Sequence, residues 1–357
     1  MYNYDKLNAF AYEVFLSIGC SEEHAQKAAD VLLSADLRGV DSHGLARLSG
    51  YVRLWEAGRV NSKPAIKIVH QTASTAVVDA DSALGLVAAP FAMKIAIEKA
   101  EAVGTGWVSV RNSNHFGIAG YHAMLALEKD MIGIALTNAS PLVSPTYSKE
   151  RLLGTNPICV AIPAGEEAPF IADMATTTAA NGKLEVLQRK GEDAPYGWIQ
   201  DAEGQVVTAA DAVKNGGALL PLGGDKEHGS HKGYALGSVV DIFSAILSGA
   251  NYGPWVPPFP AYVPMPENMP GKGIGHFFGA MRIDAFRSSE EFKNHMDQWL
   301  RRFRNATPVA GKEKVLVPGD PEREITARRL KNGLPLDPKV VEDLINLAAS
   351  RKVQWPF

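Results

Sequence analysis

The spacing of apolar residues changes character twice along this chain, and that change limits the folds open to it more than any other feature. Near the N-terminus Leu7, Phe10, Ala11, Val14 and Phe15 recur every three or four residues, as one buried helical face requires. Gly19 breaks the period, and Ser21 is placed to cap a second helix carrying Ala25, Ala28, Ala29, Leu32 and Leu33. The other end repeats the pattern. Asp337-Pro338 reads as a cap followed by proline at the first helical position, with Val340, Val341, Leu344, Ile345 and Ala348 behind it. Residues 288–304 predict a further amphipathic helix through Phe292, Met296, Trp299, Leu300 and Phe303. The middle consists of short apolar runs set off by glycines. Ala76 to Val78, Gly106 to Val110, Ile132 to Thr137, Ile158 to Ile162 and Phe170 to Ala172 read as strands, with helical stretches at 86–103 and 118–129 among them. Seven prolines between 249 and 273 predict an irregular surface excursion, since that density continues neither a helix nor a central strand. The expectation is a mixed α/β centre with helices from both chain ends packed beside it.

At 357 residues the chain has room for one large domain or two medium ones. Its 36 Lys+Arg against 39 Asp+Glu leave a net charge of −3, which provides no global basic field for nucleic acid. Cys20 and Cys159 are the only cysteines, so a disulfide scaffold is excluded and a reducing compartment is expected. The opening MYNYDKLNAF has neither a basic nor a continuous apolar segment, and no run of about 18 apolar residues occurs. A cytoplasmic protein that neither spans nor is sent through a membrane is the expectation.

Several signatures fail. Gly104-Thr105-Gly106 follows a helix instead of a strand and has Ser109 where the dinucleotide fingerprint needs its third glycine, and Gly271-Lys272-Gly273 has His276 there. Walker loops, zinc-binding HExxH pairs and nucleophile elbows do not occur. His228 and His231 lack the further ligands of a metal site, and no metal is expected.

Three constellations remain. If Asp41-Ser42-His43-Gly44-Leu45-Ala46-Arg47 enters a helix near Ser42, then His43, Arg47 and Tyr51 share one face. Arg binds a carboxylate in bidentate fashion, His exchanges a proton near neutrality, and Ser or Tyr adds a hydrogen bond. The same spacing also suits a solvated helix face. Arg111 to Gly117, directly after a strand, carries Asn112, Asn114 and His115; it reads either as an active-site rim or as a polar turn capping the next helix. The third is glycine-rich, Leu222-Gly223-Gly224 and Gly229 to Tyr234. Lys232 there, like the hydroxyls of Thr176, Thr177 and Thr178, suits either phosphate binding or ordinary loop chemistry.

Taken together, DSHGLAR (41–47), SNHFG (113–117), GTNP (154–157), ADMATT (172–177), Gly182-Lys183, LLPLGG (219–224), HKGYAL (231–236), GHFF (275–278) and Val317-Pro318-Gly319 occur in the order seen in one family. From about residue 5 to about residue 350 the chain resembles the type-2 malate/L-lactate dehydrogenases. That group includes L-sulfolactate, ureidoglycolate and 2,3-diketogulonate dehydrogenases and cyclic imino acid reductases. The resemblance implies an α/β protein with a non-Rossmann, mixed-sheet NAD(P)-binding domain (73–287) inserted between helical segments (1–72 and 288–357), the first of which carries His43 and Arg47. It implies hydride transfer between nicotinamide and C2 of a small 2-hydroxy or 2-oxo acid, with imino acid reduction or a silent nucleotide-binding homologue as alternatives. It also implies a homodimer, with a tetramer left open.

By the same resemblance His43 and His115 are the acid/base candidates, and Arg47 holds the substrate carboxylate with Ser42 and Tyr51 nearby. Asn138, Ala139 and Ser140, the strand end Phe170, Ile171, Ala172, Asp173, Met174, Ala175 and Thr176, and His231 and Lys232 would contact the cofactor, with Pro318, Gly319 and Asp320 closing over it. NAD is taken ahead of NADP; Arg189 and Lys190 suit either a 2′-phosphate or a solvated charge pair. Asp225 to Ser230 lengthens a junction that is usually short in the family.

Overall fold

A computed structural model describes residues 1–357, the side chain of Arg189 excepted. The chain opens with α1 (Tyr4–Ser17), α2 (Glu22–Leu37) and α3 (Leu48–Glu56). Ser21 caps α2 as expected, its hydroxyl accepting the His24 N–H at 3.2 Å. Strands β1 (Lys67–Gln71) and β2 (Thr75–Asp79) lead to α4 (Gly85–Val103), β3 (Thr105–Ser113), α5 (Ala119–Met124), β4 (Met131–Thr137), β5 (Ile158–Ile162) and β6 (Phe170–Met174). Next come α6 (Asn181–Lys190), three two-residue strands β7 (Ile199–Gln200), β8 (Val206–Val207) and β9 (Ala218–Leu219), and α7 (Ser230–Asp241). The chain closes with β10 (Ile274–Arg282), α8 (Ser289–Arg304), α9 (Asp320–Asn332) and α10 (Pro338–Arg351). The Asp337 carboxylate caps α10 by accepting the Lys339 N–H at 2.9 Å. No helix is long and apolar enough to cross a membrane among the described residues.

Seven strands form one sheet in the order β1-β2-β3-β10-β4-β5-β6, and β7 to β9 form a small second sheet. Only β2 and β3 run parallel, joined by the α4 crossover; every other pair in the large sheet is antiparallel. A Rossmann sheet is parallel throughout its core, so this mixed sheet explains the missing fingerprint. The five strands read from the sequence are β2 to β6. The central strand β10 and the edge strand β1 escaped that reading.

Apolar residues of α4 and α5 pack on one face of the large sheet through Ala92, Met93, Ala96, Val108 and Phe278. Helix α7 covers the other face, beginning at Ser230 and passing into a π-helical turn, Ile242–Ile246. The 118–129 stretch likewise splits, α5 tightening into a 3-10 turn at Leu125–Lys129. Helices from the two ends share a separate core of Leu7, Phe15, Leu32, Leu48, Tyr51 and Leu344. Within it the Ser49 hydroxyl donates to Asp343 at 2.5 Å, tying α3 to α10. Helix α8 lies elsewhere: Trp299 meets Phe170 edge-on at 5.7 Å, and Asp297 accepts the N–H groups of Gly165, Glu166 and Glu167.

Candidate active site

The continuous helix anticipated from Ser42 does not form. Two 3-10 turns, Asp41–His43 and Leu45–Arg47, flank Gly44, and α3 starts only at Leu48. The cause is Asp36, a carboxyl group buried at the end of α2. It accepts the Leu45 N–H at 2.8 Å and fills the space beside Gly44, where a Cβ would lie 2.1–2.3 Å from the carboxyl atoms. The chain bends around this group. Arg329, reaching from α9, donates to the Asp36 carbonyl and pairs with Asp41, so the bend is held from both sides.

The bend still brings the named residues together. The Arg47 guanidinium donates to the Ser42 carbonyl at 2.6 Å, and the Ser42 hydroxyl lies 2.9 Å from His43 Nδ1. His115 joins them from the end of β3: its ring stacks on His43 with centroids 5.5 Å apart, and the Tyr51 hydroxyl lies 2.6 Å from its Nδ1. Tyr51 is wholly buried, which rules out the solvated-face reading at that position. The polar-turn reading of 111–117 also fails as helix capping, because α5 has Ile118 at its cap and no side-chain cap bond. Asn114 instead donates to the carbonyls of Ser82 and Ala83, each at 3.0 Å, fixing the backbone just before His115.

These contacts constrain the protons. The Gly117 N–H points at His115 Nδ1 at 3.4 Å, so Nδ1 is an acceptor, Tyr51 donates to it, and the neutral ring carries its proton on Nε2. His43 Nδ1 meets only a hydroxyl, which donates or accepts, so either tautomer of His43 is open. Burial first, and the Arg47 charge second, push the His43 pKa down to about 4. Burial, with His43, Arg47 and His276 nearby, holds His115 well below its ordinary value. Both imidazoles are neutral at physiological pH, next to one guanidinium.

A fourth wall comes from the proline-rich excursion. Val256, Pro257 and Pro258 are buried, and the Phe259 ring stands 4.9 Å from His115 and 5.4 Å from Tyr51, with the Arg47 guanidinium 5.8 Å from its centre. This segment is therefore more than a surface excursion.

The residues expected at the cofactor fall into groups. Asp173 at the end of β6 accepts the Gly120 N–H at 2.8 Å, joining that edge strand to the first turn of α5. Gly182 then abuts Ser42, to whose Cβ a Cβ on the glycine would approach within 2.8 Å. The run from β6 to α6 thus passes alongside the 41–47 loop. Pro318 accepts the Ile171 N–H at 3.2 Å, which sets Gly319 against the same strand. Asp320 is engaged by Arg304 and Arg323, which overcome the effect of partial burial and hold its carboxyl down to about 2.

Leu222 donates to the Thr176 carbonyl at 2.9 Å and contacts Gly233, bringing the exposed His231 and Lys232 to the same region. The insertion closes on itself through Asp225, which accepts the His228 N–H at 2.9 Å and whose carbonyl accepts the Ser230 N–H. The threonine hydroxyls suggested for phosphate are committed to backbone carbonyls: Thr176 to Thr155 and Asn156, Thr177 to Ala179. Asn138 is a buried joint; it donates to Asp241 and to the Asn251 carbonyl and accepts the Gly275 N–H. Ala139 is bonded to Asn156, and Ser140 to Pro257 and Phe259. The Arg189 side chain lies outside the described residues, while Lys190 is exposed at the end of α6.

The fold, with its mixed sheet, is that of a dehydrogenase of the non-Rossmann kind. The family model for malate/L-lactate dehydrogenase matches residues 2–345, and the chain belongs to that family. It is 44% identical over 345 residues to a malate dehydrogenase of Pyrococcus abyssi, covering 96% of this chain and 93% of the relative. An L-sulfolactate dehydrogenase of Methanocaldococcus jannaschii is 40% identical over 333 residues, with 93% and 92% covered. The solved malate dehydrogenase of Pyrococcus horikoshii superimposes with a TM-score of 0.89 at 40% identity, covering 99% of this chain and 96% of the other. The protein is an oxidoreductase that acts on the CH–OH group of a hydroxy acid with a nicotinamide cofactor.

Proposed function

We propose that the cleft between residues 41–51 and His115 oxidises and reduces C2 of a small 2-hydroxy/2-oxo acid pair, with Arg47 on the C1 carboxylate. The observation that carries this reading is the convergence of one guanidinium and two neutral imidazoles in one cluster. When bound, the nicotinamide supplies or accepts the hydride at C2. Its residence is supported by the C-terminal end of the β6 edge, beyond the Ile171–Pro318 contact, where Asp173 and Met174 are exposed beside Gly120 and the flanking Ala172 and Ala175 are small.

The two histidines take different parts. His115, with its proton on Nε2, donates a hydrogen bond to the C2 oxygen and polarises it. His43, whose tautomer is free, takes the hydroxyl proton in oxidation and returns it in reduction. Arg47 suppresses protonation of His43 while its charge is unpaired. A bound carboxylate offsets that charge and raises the His43 pKa as the substrate arrives.

Malate and sulfolactate, named for the relatives above, both carry a second anionic group, and acids of that type are the substrates proposed here. NAD over NADP rests on the resemblance alone. Following nicotinamide absorbance with NADH and NADPH against oxaloacetate, sulfopyruvate, pyruvate, 2,3-diketogulonate and a cyclic imino acid tests all of this. Turnover of oxaloacetate or sulfopyruvate ahead of pyruvate is expected, and preference for pyruvate would overturn the second anionic group. Turnover of the cyclic imino acid alone would replace the reading by imine reduction, and cofactor binding without any turnover would replace it by a silent homologue.

We further propose a homodimer. Leu236, Val239, Ile242, Phe243, Ile246 and Leu247 form an exposed apolar face on α7 and its π-turn, an arrangement that a monomer seldom leaves in water and that a second copy would cover. Light scattering after size exclusion checks it, and a monomer at micromolar concentration would refute it. Cys20 and Cys159 are free, buried thiols, which supports a reducing, cytoplasmic setting.

A further inference from the structure

Phe259 lies more than 140 residues from His115 in the sequence, yet its position is fixed from four directions. Its N–H donates to the Ser140 hydroxyl at 3.0 Å, and that hydroxyl contacts the Pro257 carbonyl at 3.3 Å. Arg59, whose own carbonyl accepts from Asn114 at 3.2 Å, donates to the Pro258 carbonyl. The residues just before His115 and just before Phe259 are therefore held by one arginine. Gly50 on α3 lies flush against the ring: a Cβ there would meet its edge at 2.7 Å. The flanking prolines and buried Val256 leave this backbone little freedom to withdraw.

A ring held this firmly beside the reacting groups limits what they can accept. An acid whose C1 carboxylate lies on Arg47 and whose C2 oxygen meets the imidazoles has Phe259 beside both attachment points. Resting on the 2-hydroxy-acid reading above, we propose that Phe259 is the specificity-determining wall of the substrate cleft: it admits compact groups on C2 and excludes long or branched ones. It takes no part in proton or hydride movement. Its contribution is steric, with a weak cation–π contact that keeps Arg47 turned to the cleft.

The test is a substrate series. Wild type, Phe259→Ala and Phe259→Leu are assayed for kcat/KM on oxaloacetate, pyruvate, 2-oxobutanoate, 2-oxohexanoate and 4-methyl-2-oxopentanoate, with KM for the nicotinamide cofactor measured alongside. Phe259→Ala is expected to raise the ratio of kcat/KM for 2-oxohexanoate over that for the best short acid by about tenfold or more, the scale on which enzymes discriminate added methylenes. Phe259→Leu should fall between, with the cofactor KM unchanged in both. A ring serving only to support the fold would lower all substrates together. Ratios within twofold of wild type in both variants would therefore overturn the proposal while leaving the 2-hydroxy-acid reading intact. Failure of wild type to turn over any member of the series would overturn that reading, and this proposal with it.

Discussion

Asp36 offers the clearest link between folding and the catalytic loop, and its protonation gives a measurable signature. Burial is the main cause that raises its carboxyl to about 8, opposed by the hydrogen bond from Leu45 and the charge of Arg329, and assisted by Asp41. In the unfolded chain an aspartate titrates near 3.9. Between those values the folded protein binds one proton more than the unfolded one, so stability falls as pH rises, and the loss is complete once pH passes the folded value. From pH 7 to pH 9.5 that loss amounts to about 1.4 kcal/mol. The Cys20 thiol, pushed up by burial to about 11, and the similarly raised Cys159 add losses of the same sign, so a variant is needed to separate them. Asp36→Asn cannot ionise and retains a carbonyl oxygen for the Leu45 N–H. Denaturant unfolding of both proteins at the two pH values should show wild type losing about 1.4 kcal/mol more than Asp36→Asn. Parallel losses would refute the argument that Asp36 is protonated in the folded state.

Three further outcomes follow from the site. Arg47→Ala should cost roughly 3 kcal/mol or more in kcat/KM for carboxylate substrates, because the substrate anion loses its charged partner; an unchanged kcat/KM would remove Arg47 from the mechanism. Tyr51→Phe deprives His115 Nδ1 of its 2.6 Å donor. It should lower kcat/KM by about tenfold, near the worth of one such hydrogen bond, and an unchanged pH–rate profile with unchanged kcat/KM would contradict the tautomer assignment. Acid sensitivity should be marked: burial lowers His43 and His122 to about 4 and His276 to about 3, with His115 also well down. The unfolded chain takes up protons at these four groups from about pH 6.5 downward while the folded one does not; together they outweigh the opposite contributions of the raised Asp36 and Asp173, so stability drops as pH falls through that region. Circular dichroism combined with denaturant titration between pH 7 and 4.5 measures this, and a flat profile would refute it.

The parts of this fold legible in the sequence are those governed by local period. Helices α1, α2, α8 and α10 carry an apolar stripe and a capping Asn, Ser or Asp within a few residues, so neighbours in the sequence suffice to define them. Strand β10 fails that criterion. Flanked by β3 and β4 with both faces covered, it is buried from Ile274 through Ala280, which erases the alternation that marks a half-buried strand, and its sequence includes a buried histidine. His43, Ser42 and Arg47 could be singled out because their chemistry is compressed into six residues, although the helix expected to align them is absent. Phe259 could not be found this way, since its anchors Ser140 and Arg59 are more than 100 residues distant. Asp36 did leave a trace: it follows Ala29 and Leu33 at helical spacing, an acidic residue on the buried stripe of α2, where a carboxylate needs a specific partner.

That trace explains why segment 41–47 depends on both ends of the chain. The Leu45 N–H between His43 and Arg47 finds its acceptor in α2, and Asp41 is gripped by Arg329 of α9, 288 residues further on. His115 reaches the same cleft from the sheet, positioned by Asn114 and braced by Tyr51 from α3. Neither core alone contains a guanidinium, a stacked imidazole pair and a hydrophobic wall. A long helix starting at Ser42 would have supplied its own backbone acceptors and needed no Asp36. It would also have aligned His43 with Arg47 along one face, with no provision for an imidazole arriving from the sheet. The bend at Gly44 costs the helix its first turn and a buried carboxyl group, and in return the stack of His43 on His115 becomes geometrically possible. Local irregularity in the helical part of the molecule is thus what allows the two cores to share one candidate active site.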